Sequence, residues 1–285
     1  MNSVIHTRGN AINLFSYLKY IKHRRQQDRL YLKRFTELKK IMKNHALDTY
    51  FQPIVDLQSG ETFGFEALNR PDYSNSFSNT DQFYEFVGQT NIVFQFEIFC
   101  RNLSLKRYIE RLTEDKRNQK FVLFLNIHPH VLLDKNYHSG ETLQLLKELG
   151  ISPQQVVFEL TERSAVTDFQ EFERVLSHYR SQGYRIAIDD VGSGYNSLKT
   201  IIFLQPEFIK LDRSLIQNID QSVASQQLVS LIYEYVKLSG TKVVAEGIER
   251  IEEIQYLQQL GIHYAQGYAL GRPDKEIKLG ICPLK

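Results

Sequence analysis

Short apolar segments that end in a carboxylate or an amide recur along this chain. Runs of this length are typical of buried β-strands. An isolated charge at the end of a buried strand carries a large desolvation cost, so these endings point to a shared polar site. The polar residues that end the six segments are Glu66, Asn126, Glu159, Asp189-Asp190, Asp212 and Glu246. The pattern therefore predicts strands whose ends surround one site.

Strand and helix patterns alternate from residue 50 onward. Residues 50–55 and 62–68 predict two strands, and the turn residues between them indicate an antiparallel hairpin. Later strands are predicted at 121–127, 156–160, 185–188, 208–211, 242–245 and 264–266. Helices are predicted at 81–88, 94–111, 169–182, 197–204, 222–239 and 251–260. This alternation predicts the α/β class and a closed, TIM-like (β/α)8 barrel with an antiparallel first strand.

The first 44 residues carry most of the positive charge. They contain eleven Lys and Arg against two Asp and Glu, which gives this segment +9 and the remaining residues −7 within a net charge of +2. Apolar residues recur there near helical spacing, which predicts helices with an apolar and a cationic face. We therefore divide the chain into a basic helical extension over residues 1–33 and one barrel domain over residues 34–285. A (β/α)8 barrel typically takes about 250 residues.

Three roles are compatible with the basic extension. In the first, it is a solvated helix that packs on the barrel or links it to an unidentified protein partner. In the second it contacts a membrane surface, and in the third it contacts nucleic acid. The first role is the simplest, and we expect no nucleic-acid partner. The two cysteines lie far apart, and the chain has neither a signal-peptide pattern nor an apolar run of about 18 residues. These features favour a cytoplasmic protein.

The carboxylates suggest a metal site. In a (β/α)8 barrel the strand ends face one mouth, so six carboxylates and one amide would meet there and repel one another. Divalent cations relieve such repulsion, and ligation by oxygen alone points to Mg²⁺ or Mn²⁺ rather than Zn²⁺. We predict two ions, which activate water for a phosphoryl displacement. For single members of the set, a helix cap or an ion pair with arginine is the alternative.

Longer motifs occur in a fixed order over about residues 34–275. They are Gln52 to Val55, Glu66-Ala67-Leu68, Glu159 to Glu162, Asp189 to Tyr195, Lys210 to Asp212, Ala245 to Glu249 and Gln266 to Tyr268. In this order they resemble the EAL-domain phosphodiesterases, which linearise the bacterial second messenger cyclic di-GMP. The resemblance implies hydrolysis of cyclic di-GMP to linear pGpG, and a homodimer.

The resemblance also implies a role for each matching residue. The ligands of one ion would be Glu66, Asn126, Glu159 and Asp189. Those of the second would be Asp189, Asp190 and Glu246, with Asp212 as a supporting residue of the metal site. Lys210 would hydrogen-bond the attacking water. The further catalytic residues would be Glu246, Glu249 and Glu162, the last by bracing the loop 190–198. The substrate would contact Gln52, Arg70 and Gln266.

A few positions depart from the family pattern. Pro71 follows Arg70 where Trp is common, and Val191 replaces a usual Phe. Because Pro fixes φ, the loop after Arg70 is expected to differ. Every expected ligand and Lys210 are present, so an active enzyme is the main hypothesis. The alternative is a catalytically weak cyclic di-GMP receptor that signals through the N-terminal helix or a dimer interface. An unrelated barrel lyase or isomerase would share only the architecture.

Overall fold

The computed structural model describes residues 14–71, 76–117, 119–127, 141–161, 169–194 and 197–284. In this part of the chain eight strands close into one barrel in sequence order. They are β1 (Leu47–Asp56), β2 (Thr62–Pro71), β3 (Val122–Asn126), β4 (Val156–Thr161), β5 (Arg185–Val191), β6 (Phe208–Leu211), β7 (Lys242–Ala245) and β8 (Tyr264–Ala265). Strand β1 pairs antiparallel with β2 and β8, and all other neighbours are parallel. The predicted barrel with an antiparallel first strand is confirmed.

Helices surround the barrel and follow the predicted alternation. They are α1 (Leu14–Asn44), α2 (Thr80–Gly88), α3 (Val93–Arg111), α4 (Glu114–Arg117), α5 (Glu141–Leu149), α6 (Phe169–Ser181), α7 (Ser197–Leu204), α8 (Arg213–Ile216), α9 (Val223–Ser239) and α10 (Ile251–Leu260). The six helices predicted from the barrel segment are present. Helix α5 was not predicted, although Leu145, Leu146 and Leu149 recur there at helical spacing and pack on the barrel cluster.

Two layers of apolar side chains form the barrel core. Successive residues of a strand point alternately into the barrel and out toward the helices. The outward side chains, such as Leu123, Phe158 and Ile209, belong to a large cluster that includes helix residues. The inward side chains form a separate cluster of Ile54, Val122, Phe124, Val157, Ala187, Phe208 and Val244. This inner layer fills the barrel below its carboxyl-terminal mouth.

Helix α1 joins the barrel through its carboxyl-terminal half. Leu38 and Ile41 are buried in a cluster with residues of α2 and α3, and the Arg34 side chain donates to the Ser76 carbonyl at 3.0 Å. The predicted boundary between residues 33 and 34 falls inside this continuous helix and stays a prediction. No helix among the described residues is long and apolar enough to cross a bilayer.

Candidate active site

The polar side chains of the site continue the inward columns of the strands. On each parallel strand, the residue two positions beyond an inward apolar or glycine position is polar. These polar residues are Glu66, Asn126, Glu159, Asp189, Lys210, Glu246 and, beyond Tyr264, Gln266. Because β1 runs the opposite way, its polar residue Gln52 precedes the inward Ile54. The site is therefore the upper layer of the barrel interior, and apolar side chains form its floor.

Lys210 is the centre of this layer. It is 1 % exposed, and its Nζ lies 2.8 Å from Glu159 Oε1 and 2.7 Å from Glu246 Oε1. Glu66 Oε2 lies 3.2 Å from the same nitrogen, and Asp189 Oδ1 lies 3.5 Å from it. Four strand ends that are remote in sequence therefore meet at one ammonium group.

Amide side chains fix the orientation of Glu66. Asn126 Nδ2 donates to Glu66 Oε1 at 3.1 Å, and Gln266 Nε2 donates to Glu66 Oε2 at 2.7 Å. Gln266 Nε2 also donates to Gln52 Oε1 at 3.1 Å, while Gln52 Nε2 donates to the Gly271 carbonyl. This chain of amides links β1, β2, β3 and the end of β8, so the Glu66 carboxylate is held before any ligand arrives.

Two consecutive aspartates face the site because β5 is irregular. Strict alternation would point Asp189 inward and Asp190 outward. The pairing of β5 with β6 shifts register between Ile188 and Val191, and Asp190 has a left-handed φ of 58°. A bulge of this kind re-aims a side chain at the rim of a barrel. As a result, oxygens of Asp189, Asp190 and Glu246 lie within 4.8 Å of one another.

The carboxylates respond differently to burial. Burial raises the pKa of Glu159 well above its usual value, and Glu66 and Asp189 add to that increase against the opposing charge of Lys210. Burial likewise raises the pKa of Glu246 well above the usual value and raises that of Asp189. Burial also acts to raise the pKa of Glu66, but Lys210 and the two amide donors outweigh it and lower that pKa.

Lys210 keeps its proton in this setting. Burial alone would lower its pKa, but Asp189, Glu159, Glu246 and Glu66 together raise it well above the usual value. One ammonium charge cannot balance five carboxylates, so some of them hold protons or require another cation. The site is therefore electrostatically suited to bind divalent cations.

Unpaired oxygens in the site support the same conclusion. Among the described residues, Glu159 Oε2 and Gln266 Oε1 are buried and receive no hydrogen bond. Both atoms are oxygens that hard cations such as Mg²⁺ and Mn²⁺ accept as ligands. An acceptor buried without a donor costs free energy, and a cation or its bound water would remove that cost. The residues present therefore fit the predicted metal site.

Three predicted residues lie outside the cluster around Lys210. Asp212 Oδ1 accepts from the Ser214 backbone N–H at 2.9 Å, so Asp212 caps α8 at the edge of the cavity. Glu249 Oε1 lies 3.0 Å from Arg213 Nη2, also at the cavity edge. Arg70 is exposed, and its guanidinium lies 5.0 Å from the centre of the Tyr50 ring. Glu162 falls outside the described residues, so its predicted bracing role stays a prediction.

A cavity of about 260 Å³ opens above the cluster. Its walls include Gln52, Glu66, Asp212, Glu246, Glu249 and Gln266, all of which were predicted as site residues. They also include Leu68, Arg213 and Tyr268, which the sequence analysis did not assign. Leu68 and Tyr268 belong to the motifs named above, whereas the only signal for Arg213 was its place directly after the motif residue Asp212. The Arg272 guanidinium lies 4.3 Å from the centre of the Tyr268 ring and so fixes that ring at the rim.

The fold and the site define a closed eight-stranded α/β barrel with a buried lysine and acidic groups at its mouth. The family model described as the EAL domain matches residues 36–273. The chain therefore belongs to the EAL-domain family.

Relatives with curated names are similar over most of this chain. A protein of Escherichia coli named probable cyclic di-GMP phosphodiesterase PdeA is 32 % identical over 225 residues, which cover 79 % of this chain and 30 % of PdeA. Cyclic di-GMP phosphodiesterase RocR of Pseudomonas aeruginosa is 29 % identical over 238 residues, which cover 82 % of this chain and 59 % of RocR. The chain thus spans less than two thirds of the length of either relative.

Solved structures share the architecture. Klebsiella pneumoniae BlrP1, in a complex with calcium and cyclic di-GMP, matches with a TM-score of 0.71 and 28 % identity, over 83 % of this chain and 57 % of that one. A standalone EAL protein of Vibrio cholerae bound to cyclic di-GMP matches with a TM-score of 0.68 and 26 % identity, over 82 % of this chain and 95 % of that one.

Proposed function

We propose that this protein hydrolyses cyclic di-GMP to linear pGpG with the help of two divalent ions, Mg²⁺ or Mn²⁺. The observation that carries the proposal is the position of Lys210, whose ammonium group lies within 3.5 Å of carboxylates from four strand ends. The relatives named cyclic di-GMP phosphodiesterases support the choice of substrate.

The predicted ligands divide into two groups. Glu66, Asn126, Glu159 and Asp189 would hold one ion, and Asp189, Asp190 and Glu246 the other. The second group includes the three carboxylates whose oxygens lie within 4.8 Å of one another. When bound, the ions supply acidity to a water molecule and offset charge on the phosphodiester.

Lys210 would orient the attacking water. Its nitrogen is buried among the same carboxylates, and its raised pKa keeps it a hydrogen-bond donor at neutral pH. A donor held in this way aligns the water oxygen with the phosphorus and does not take up its proton. The bond from the water oxygen to phosphorus forms as the bond from phosphorus to the 3′ oxygen breaks. The water gives up one proton, and the 3′ oxygen gains one to become the 3′-hydroxyl of pGpG.

Amide and guanidinium groups would bind the dinucleotide. Gln52 and Gln266 lie on the wall of the cavity, and Gln266 Oε1 is a buried acceptor with no donor among the described residues. Arg70 is exposed on β2, two positions beyond the cavity-lining Leu68. Its planar fork suits a phosphate or the edge of a guanine. Glu249 and Asp212 would support the site from its edge, and Glu162 would brace the loop that follows Asp190.

A homodimer would use the exposed face of α7. Leu198, Ile202 and Phe203 are about half exposed there, at 54 %, 50 % and 54 %. Three large apolar side chains on one helix face favour a protein partner, and a second copy of this chain is the simplest one. The helix follows β5, which carries Asp189 and Asp190, so dimer formation would act close to the site.

A turnover assay tests the proposal. The full chain with excess Mn²⁺ is expected to convert cyclic di-GMP to pGpG, resolved by chromatography, and EDTA should abolish the product. Glu66→Ala and Lys210→Ala should lose at least 100-fold in kcat, whereas the surface control Glu148→Ala should keep it. Normal nucleotide binding with no pGpG would overturn the proposal in favour of the receptor hypothesis.

A further inference from the structure

Within the part of the chain that the structure describes, the side chains of residues 16–33 of α1 are largely exposed, and Tyr31 near the end of this stretch packs on the Phe86 ring of α2. From residue 16 to residue 33 every side chain is exposed except Ile21, which is partly exposed. We call residues 16–33 the exposed segment of α1. An isolated helix of this length is only marginally stable in water. Apolar side chains lie open on it, with Tyr17, Leu18 and Tyr20 between 52 % and 58 % exposed. A helix of this kind gains stability by binding to another surface.

The charge of the exposed segment restricts the chemistry of its partner. It contains six Lys and Arg, namely Lys19, Lys22, Arg24, Arg25, Arg29 and Lys33, and the single acid Asp28. The segment therefore bears +5. Pairing with a second copy of itself would bring two such charges together, which is unfavourable. The complementary surface is a negatively charged one.

The distribution of side chains around α1 favours lipid over nucleic acid. At about 3.6 residues per turn, Tyr17, Leu18, Tyr20 and Ile21 fall within an arc of about 160°. Lys19, Lys22, Arg29 and Lys33 fall on the neighbouring arc, whereas Arg24 and Arg25 fall within the apolar one. The aliphatic stems of these basic residues reach past apolar surface to place the charge in a polar layer. Phosphates of a nucleic acid would pair with the cations but would leave the tyrosines and leucines in water. A bilayer interface accepts both sets, and tyrosine is enriched there.

We infer that the exposed segment of α1 binds the surface of an anionic lipid bilayer, with Tyr17, Leu18 and Tyr20 in the interface and its basic residues at the lipid phosphates. Clusters of four to eight Lys and Arg on an amphipathic helix are suited to such surfaces. Only the carboxyl-terminal half of α1 packs on the barrel, so the segment can lie on a bilayer while the domain keeps its fold.

Vesicle sedimentation of the full chain tests the inference. The probes are phosphatidylcholine vesicles with and without 30 % phosphatidylglycerol. We expect at least tenfold stronger binding to the anionic vesicles. Lys22→Glu with Arg29→Glu, two exposed positions on the basic arc, should lower that binding at least tenfold. The matched pair Lys106→Glu with Lys147→Glu makes the same charge change on exposed positions of α3 and α5 and should alter it less than threefold.

A second pair of variants separates lipid from nucleic acid. Leu18→Ser with Tyr20→Ser keeps every charge and removes apolar groups, so it should weaken vesicle binding at least threefold. Unchanged vesicle binding by this pair, or equal binding to neutral and anionic vesicles, would overturn the inference. So would tighter binding to duplex DNA that ignores the Leu18 and Tyr20 changes, which would assign the segment to nucleic acid. Circular dichroism of each variant checks that the barrel remains folded.

Discussion

Removing the Lys210 ammonium group tests the electrostatics of the site most directly. In Lys210→Met the side chain keeps a similar volume, but four carboxylates lose the cation that lies within 3.5 Å of them. Breaking a buried ion pair by removing one partner costs about 3–5 kcal/mol. Glu159 and Glu246 already have raised pKa values and can take up protons, which reduces the cost. We therefore expect a loss near the lower end, about 3 kcal/mol.

Thermal unfolding in EDTA measures this loss. A change of about 3 kcal/mol lowers Tm by roughly 6–10 °C in a protein of this size. Saturating Mn²⁺ should reduce the Tm difference between the variant and wild type, because the ions bind the same carboxylates and stabilise the folded state by mass action. The exposed control Lys147→Met should stay within about 1 °C of wild type, since surface changes are worth about 0.5 kcal/mol or less.

An unchanged Tm of Lys210→Met in EDTA would refute the reasoning. It would mean that the carboxylates are neutral or solvated in the metal-free protein, so that Lys210 balances little charge. A Tm difference between wild type and Lys210→Met that grows when Mn²⁺ is added would also contradict it, because the ions would then bind away from Glu159 and Glu246.

Three further predictions test other parts of the structure. Burial raises the pKa of Glu159 and Glu246, so protons compete with a metal for both carboxylates, and Mn²⁺ affinity should fall as pH is lowered toward their raised pKa values. Calorimetry in buffers of different ionisation enthalpy should show that protons are released when Mn²⁺ binds, and binding without proton release would contradict this prediction. Gly267→Ala would place Cβ 2.2 Å from the Ile248 backbone, so it should cost about 2–3 kcal/mol in urea unfolding and lower kcat through Gln266. A cost under about 0.5 kcal/mol would argue against that close approach. Ile202→Glu should convert a dimer to a monomer in light scattering, and an unaltered mass would remove α7 from the interface.

Much of the barrel could be predicted because its strands and helices show as periodic patterns of apolar residues along the sequence. A strand with one side chain in and the next one out repeats every two residues, and the pattern is read without any partner strand. That is why β3, β6 and β7 and the polar residues at their ends were predicted closely. Helix α5 was missed although its leucines carry the same kind of local periodicity.

The roles within the site depended on distances that no local pattern contains. The sequence predicted Asp212 as a supporting residue of the metal site, and no local pattern showed that its carboxylate also caps α8. Arg213 lines the cavity although nothing in its local pattern marks it, and the motif that contains Tyr268 gave that residue no role. Asp190 faces the site only because the strand is irregular and its φ is 58°. Which side chains face the site depends on the register between strands, and that register is fixed when the barrel closes.

The sequence by itself determined that strands alternate with helices and that their inward columns change from apolar to acidic. It also determined that the first 44 residues are strongly basic. The tertiary structure alone decided that four of those acids surround Lys210, and that most side chains of the exposed segment of α1 lie open. The physical reason is the separation along the sequence of the groups that interact. Side-chain alternation is set by neighbouring residues, whereas burial, pKa and ion pairing depend on groups that the closed barrel brings together from distant parts of the chain.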